Sequence, residues 1–434
     1  MKTGILIKNG RLIDPAGSID RQADVLIRDG VISEIDGRGM IPETGLDKVF
    51  NAEGMIVCPG LIDLHCHLRE PGQEDKETIK TGSEAAAKGG FTTVCCMPNT
   101  VPPVDNAASV SYVNEVAARE GAIRILPIGC ITRNRRGEEL SPMYELAEAG
   151  VMGFSDDGSP VVNTSVMLRA MQYAGPLGLP IIDHCEDLTL SGSGLMNEGD
   201  LANILGLPGI PSAAEEIMVA RDILLAKNTG IHIHLAHIST KFSVELVRFA
   251  KQHGINITAE VTPHHLTLTE KAVGGYNTNA KVNPPLRREE DIQALVEGLV
   301  DGTIDLIATD HAPHTITEKE QEFALAPAGI SGFETALASV LSLVHQGTIE
   351  MNRLIEAVTV APAAMLKGRF GKLGAVAPGY SGDITVFDPD REWRVDAAGF
   401  VSRGKNTPLN GTTLKGRVMI TISRGDIAYM LEPA

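Results

Sequence analysis

The chain has 434 residues, a formal net charge of −17 and 43% hydrophobic residues, with 45 glycines and 24 prolines. That composition fits a soluble α/β enzyme with a sizeable core, and the acidic balance argues against a general nucleic-acid or anionic-membrane role. An anionic substrate would therefore need a locally positive pocket. The cysteines Cys58, Cys66, Cys95, Cys96, Cys130 and Cys185 show no CxxC pair and no framework spacing, and read as reduced, buried thiols of a cytoplasmic protein. Met1-Lys2-Thr3 leads straight into Ile5-Leu6-Ile7, too short a run for a signal peptide, and no apolar stretch reaches membrane-spanning length.

In chain order, residues 5–14 read as a strand, an Asn9-Gly10 turn and a second strand, and residues 23–32 repeat the pattern around Asp29-Gly30. Residues 383–387 and 417–426 look alike. Both ends are expected to join in one small β domain, a β-sandwich made of residues 1–57 and 370–434. Between them, apolar runs alternate with amphipathic stretches of helical length. Strands are expected at 60–65, 92–97, 123–128, 151–154, 180–183, 231–236, 256–261 and 305–309. Helices are expected at 78–88, 107–119, 165–173, 212–227 and 241–253, with 332–346 and 351–358 closing the middle. Eight strand-then-helix units imply a (β/α)8 TIM barrel over residues 58–369. A doubly wound open sheet is the alternative, but no GxGxxG follows the first strand.

Barrel active sites sit at the C-terminal ends of the strands. The first candidate strand runs into His65-Cys66-His67, and residues two apart on a strand share a face, so both imidazoles can chelate one ion. Strand four ends in Asp156-Asp157, strand five in Asp183-His184-Cys185-Glu186, strand six in His237, and strand eight in Asp310-His311-Ala312-Pro313-His314. Histidines and carboxylates converging from so many strand ends imply a metal site, with the makings of a two-metal one. Strand alternation sets His232 and His234 opposite His237, so both are expected to pack against helices. His264 and His265, after strand seven, stay open between supporting the site and being plain loop residues. His253 and His345 fall in helical stretches and read as structural.

Two segments are the most distinctive: Asp63-Leu64-His65-Cys66-His67-Leu68-Arg69-Glu70-Pro71, and Ala308-Thr309-Asp310-His311-Ala312-Pro313-His314 with Lys319 beyond it. They resemble the dihydroorotases of the bacterial class I type, in the amidohydrolase superfamily. The resemblance runs over essentially the whole chain, as far as Leu373-Gly374; Cys66 departs mildly, since a small aliphatic residue is more usual there. It implies that His65 and His67 hold a first Zn2+ and His184 and His237 a second. It also implies that Asp310 sits at the first ion and shuttles the proton, and that a strand-four carboxylate bridges the two ions. Many relatives, hydantoinases among them, bridge with a carbamylated lysine. Residues 151–158 contain no lysine; family spacing favours Asp157 over Asp156 without separating the two firmly.

The implied reaction is reversible, zinc-dependent hydrolysis of (S)-dihydroorotate to N-carbamoyl-L-aspartate, the third step of de novo pyrimidine (UMP) biosynthesis. A guanidinium fork matches the substrate carboxylate, and Arg69, beside the HxH, is its natural partner. The resemblance adds His67, Asn99, Asn283, His314 and the backbone of Ala328 and Gly329 as substrate contacts. Residues 315–331 read as a lid or as a plain surface loop. A homodimer is a further expectation from the family, and assembly with aspartate transcarbamoylase is left open. Two other readings stand beside this one. A hydantoinase or allantoinase would act on a neutral ring, against which stand Arg69 and the missing lysine. A non-catalytic scaffold would have lost metal ligands that are all present here.

Overall fold

The computed structural model describes residues 4–432. The chain opens with β1 (Ile5–Asp14), β2 (Ile19–Arg28), β3 (Val31–Gly37), β4 (Lys48–Asn51) and β5 (Ile56–Pro59). The expected Asn9-Gly10 hairpin does not form. Instead β1 runs through it as one strand, with a bulge between Ile7 and Gly10 in its pairing with β2. Asn9 takes a φ of 62°, its N–H donates to Asp24 Oδ1 at 2.9 Å, and a Cβ on Gly10 would lie 2.4 Å from Val57. The glycine serves a close approach to β5 rather than a chain reversal. Asp29-Gly30 does make the expected hairpin, between β2 and β3.

The middle supplies β6 (Leu61–Cys66), β7 (Phe91–Cys96), β8 (Arg124–Pro127) and β9 (Ile181–Asp183). A short parallel pair follows, β10 (Met196–Asn197) and β11 (Gly209–Ile210), and then β12 (Ile233–Leu235), β13 (Ile257–Val261) and β14 (Leu306–Ile307). Parallel pairings run β6-β7-β8 and β9-β12-β13-β14. Single bridges join the two sets: Phe154 pairs with Gly129 and with Ile181, and Cys66 pairs with His311. The pairing thus returns to β6, with Phe154 standing where the strand at 151–154 was expected. Helices Ile79–Lys88, Ala107–Glu120, Thr164–Leu177, Ala213–Thr229 and Lys241–Gln252 lie where amphipathic stretches were read. Thr78, Asn106, Asn163 and Thr240 start four of them by accepting first-turn backbone N–H groups. Met143–Ala149 and Glu289–Val300 are further helices, after β8 and β13.

Strand alternation sorts the apolar side chains. Leu61, Val94 and Ile233 share a cluster with the helices. Ile62, Leu64, Cys95, Leu126, Ile182 and Leu306 form a separate cluster, closed by Met365 and Leu366. The chain finishes in β15 (Ile384–Arg394), β16 (Thr413–Ser423) and β17 (Asp426–Met430). With the opening strands they make one eight-stranded sheet, ordered β17-β16-β15-β5-β1-β2-β3 with β4 on β1. The sheet bends back on itself: Val25 and Ile27 share an apolar cluster with Ile384, Ile420 and Ile422, and Gly382 N–H donates to Gly30 O at 2.9 Å. Residues 1–3 and 433–434 of the expected terminal segments lie outside the described residues. Among the described residues, no helix is long and apolar enough to cross a membrane.

Candidate active site

The end of β6 is tied to the segment after β14. Asp63 accepts from the N–H and the hydroxyl of Thr309, each at 2.7 Å, and His67 N–H donates to His311 O at 2.9 Å. These bonds bring Asp310 to His65 and His67, from which it lies 243 residues or more away in the sequence. Asp310 Oδ1 lies 2.9 Å from His67 Nε2 and 3.6 Å from His65 Nε2. Arg69, His237 and Asp310 hold φ values of 63°, 32° and 44°. Such backbone costs about 1–3 kcal/mol per residue and concentrates where function dictates geometry.

Asp157 stands at the centre. Its Oδ1 is 3.4 Å from His65 Nε2, 3.5 Å from His184 Nδ1 and 3.6 Å from His237 Nε2, while its Oδ2 is 3.5 Å from His67 Nε2. One carboxylate therefore faces all four histidines. Burial pushes its carboxyl up, but His65, His184 and His237 outweigh that and hold it well below the usual carboxylate range. Asp156 is turned elsewhere. It accepts from the N–H groups of Ile131 (2.8 Å) and Thr132 (3.1 Å) and from the Thr132 hydroxyl, so its work is to hold that turn.

Three side chains orient these histidines from behind, and sequence reasoning gave none of them that role. Glu260 Oε1 lies 2.7 Å from His65 Nδ1, Asn99 Oδ1 lies 2.9 Å from His67 Nδ1, and Glu186 Oε2 lies 3.1 Å from His184 Nε2. Each fixes which ring nitrogen points inward. The signal for Glu260 was an acid inside the otherwise uncharged run of β13. His234 also departs from expectation. It does not pack against helices but sits buried with Nε2 3.0 Å from Glu260 Oε2 and Nδ1 2.8 Å from Thr258 Oγ1. The alternation rule failed because His237 lies beyond β12 on left-handed backbone, outside the register it was counted in. His265 is buried between Thr262 Oγ1 and Pro284 O, at 2.8 and 3.0 Å, and holds the turn after β13.

A cavity of about 240 Å³ opens beside these groups, lined by His67, Arg69, Asn99, Asp157, His184, His237, Asn283, Asp310, His314, Ala328 and Gly329. Arg69 is buried, its Nε–H donating to Pro313 O at 3.2 Å. Among the described residues no carboxylate lies within ion-pair distance of it, and burial lowers its pKa to about 10. Burial and the charges of Arg69, Lys76 and Lys319 push the His314 imidazole down to about 3, and its Nε2–H donates to Ala328 O at 2.9 Å. Asn283 donates to Glu186 Oε2 at 2.9 Å, and the Gly329 N–H is engaged with Lys281 O at 2.8 Å.

A family model described as dihydro-orotase-like matches residues 54–243. The dihydroorotase of Syntrophus aciditrophicus is 50% identical over 98% of this chain and 99% of its own length. That of Caldanaerobacter subterraneus is 51% identical over 98% of this chain and 97% of its own. The chain belongs to the dihydroorotase family. Among solved structures, an L-hydantoinase (dihydropyrimidinase) from Arthrobacter aurescens matches with a TM-score of 0.88 at 26% identity, over 100% of this chain and 97% of that one. The dihydroorotase family is metal-dependent, and the residues here fit a metal. His65 Nε2 and Asp157 Oδ1 are buried without a hydrogen-bond partner. The donor sets His65–His67–Asp310 and His65–Asp157–His237 each bring their ligand atoms within 4.8 Å of one another. Imidazole and carboxylate donors of this kind suit zinc or a similar divalent ion.

Proposed function

We propose that this chain is a zinc-dependent dihydroorotase of the bacterial class I type, interconverting (S)-dihydroorotate and N-carbamoyl-L-aspartate in de novo pyrimidine biosynthesis. The observation that carries the substrate is Arg69, a buried guanidinium with no carboxylate of its own, facing the same cavity as the histidine and aspartate cluster. In this reading the ring of strand pairings is a (β/α)8 barrel over residues 58–369. The described parts of the terminal segments, residues 4–57 and 370–432, then form a β-sandwich domain beside it. The class I resemblance also supports a cytoplasmic homodimer, with aspartate transcarbamoylase as the candidate partner protein.

His65, His67 and Asp310 would hold one Zn2+, His184 and His237 a second, and Asp157 would reach both. When bound, such ions activate a water and polarise the ring carbonyl. The side chains do the rest. Arg69 takes the substrate carboxylate as a fork, with Asn99, Asn283, His314 and the Ala328-Gly329 backbone shaping the walls. Glu260, Asn99 and Glu186 keep the imidazoles turned inward. Asp310 accepts the proton released by the attacking water and returns it to the ring nitrogen as the amide C–N bond breaks.

The likeness to an L-hydantoinase favours a second reading, hydrolysis of a neutral cyclic amide. A buried, unpaired Arg69 would be costly in a pocket for neutral rings. Arg69→Lys tests the choice. It replaces a planar fork by a point charge, and should raise the KM for dihydroorotate by roughly tenfold or more while changing kcat less. An unchanged KM would remove Arg69 from the carboxylate site.

A further inference from the structure

The segment between β15 and β16 reaches back to the pocket. Asn406 is 3% exposed, and both polar atoms of its side chain are fully used. Its Oδ1 accepts from His314 N–H at 3.0 Å and from the Ser331 hydroxyl at 2.8 Å. Its Nδ2 donates to Ala312 O at 3.0 Å and to Gly329 O at 2.9 Å. Its own carbonyl accepts Ser331 N–H at 2.8 Å. One neutral amide thus joins the segment that carries Asp310 and His314 to the loop end that carries Ala328 and Gly329.

Two neighbours work in the same direction. Lys319 Nζ donates to Pro327 O at 2.8 Å and Gly329 O at 3.3 Å. Lys281 Nζ donates to Phe323 O and Ala326 O, each at 2.7 Å. The loop end is closely fitted: Gly329 has a φ of 144°, and a Cβ there would lie 2.6 Å from Ala312 O. The lysines fasten the loop from inside. Bonds from His314 Nε2–H to Ala328 O at 2.9 Å and from Ala312 N–H to Ile330 O at 2.8 Å tie it directly to the strand-end segment. Asn406 adds a clamp that grips both sides at once, because an amide offers two donors and an acceptor on one planar group. An aspartate in its place would present no donor to the two carbonyls.

We propose that Asn406 is a positioning residue that sets the spacing between His314 and Gly329, and with it the fit of the substrate carboxylate opposite Arg69. This rests on the dihydroorotase reading above. The test is the isosteric Asn406→Asp in the full, zinc-loaded chain, followed by steady-state kinetics, metal analysis and amide exchange across residues 323–331. The expected result is a KM for dihydroorotate raised roughly tenfold or more, a smaller fall in kcat, wild-type metal content and faster exchange in that loop. Wild-type KM and exchange would overturn the proposal, as would a loss confined to thermal stability. Should Asn406→Asp fail to fold, Ser331→Ala removes one bond to the same amide oxygen. It is then expected to raise KM roughly threefold, and a wild-type KM there would also overturn the proposal. A wild-type protein without dihydroorotate turnover would sink the functional reading instead. The exchange rates of wild type and Asn406→Asp would then decide the clamp by themselves.

Discussion

Asp310→Ala is expected to lower dihydroorotate turnover by roughly a thousandfold or more, with the protein still folded. Asp310 Oδ1 lies 2.9 Å from His67 Nε2 on strained backbone, and among the described residues Asp157 is the other carboxylate that lines the cavity. Burial pushes its carboxyl up, but the His67 hydrogen bond and the charges of His65, His67 and His237 outweigh that and hold it below the ordinary range. It is therefore ionised at neutral pH and enters the hydrolytic cycle as a base. Folding should survive, because the apolar clusters do not depend on Asp310. Kinetics beside a thermal melt check both halves. Near-normal rates would take Asp310 out of proton transfer.

The second large effect separates two adjacent aspartates. Asp157→Ala should strip metal from the protein, to one ion per chain or fewer, and lower kcat by roughly a hundredfold or more, with a melting temperature close to wild type. Asp156→Ala should do the reverse. It leaves the buried N–H groups of Ile131 and Thr132 unpaired, at about 1–3 kcal/mol per group, and should lower the melting temperature while metal content stays near wild type. Metal analysis and calorimetry on the two variants decide it. Loss of metal from Asp156→Ala with retention by Asp157→Ala would exchange their roles.

The strand runs were legible because apolar periodicity and N-capping residues agree along the middle of the chain, and His65 and His67 because two residues apart on a strand is a local relation. What the sequence hid is of two kinds. The first is backbone that leaves its regular register. β1 carries a bulge at Asn9-Gly10 where a turn is the stronger local signal, and His237 sits past β12 on a φ of 32°, which misled the placing of His234. The second is contact between distant segments. Glu260 meets His65 across 195 residues and Asn406 meets His314 across 92, and neither pairing leaves a trace in local pattern. Asp156 and Asp157 were separable only once the turn at Ile131-Thr132 was seen to claim the first.

The most direct measurement is hydrolysis of L-dihydroorotate by the zinc-loaded protein, with hydantoin and allantoin assayed beside it. Fast turnover of dihydroorotate is expected, with little of either neutral ring. Turnover of the neutral rings in its place would contradict the Arg69 carboxylate pocket, and no turnover of any of the three with metal bound would contradict the enzyme itself.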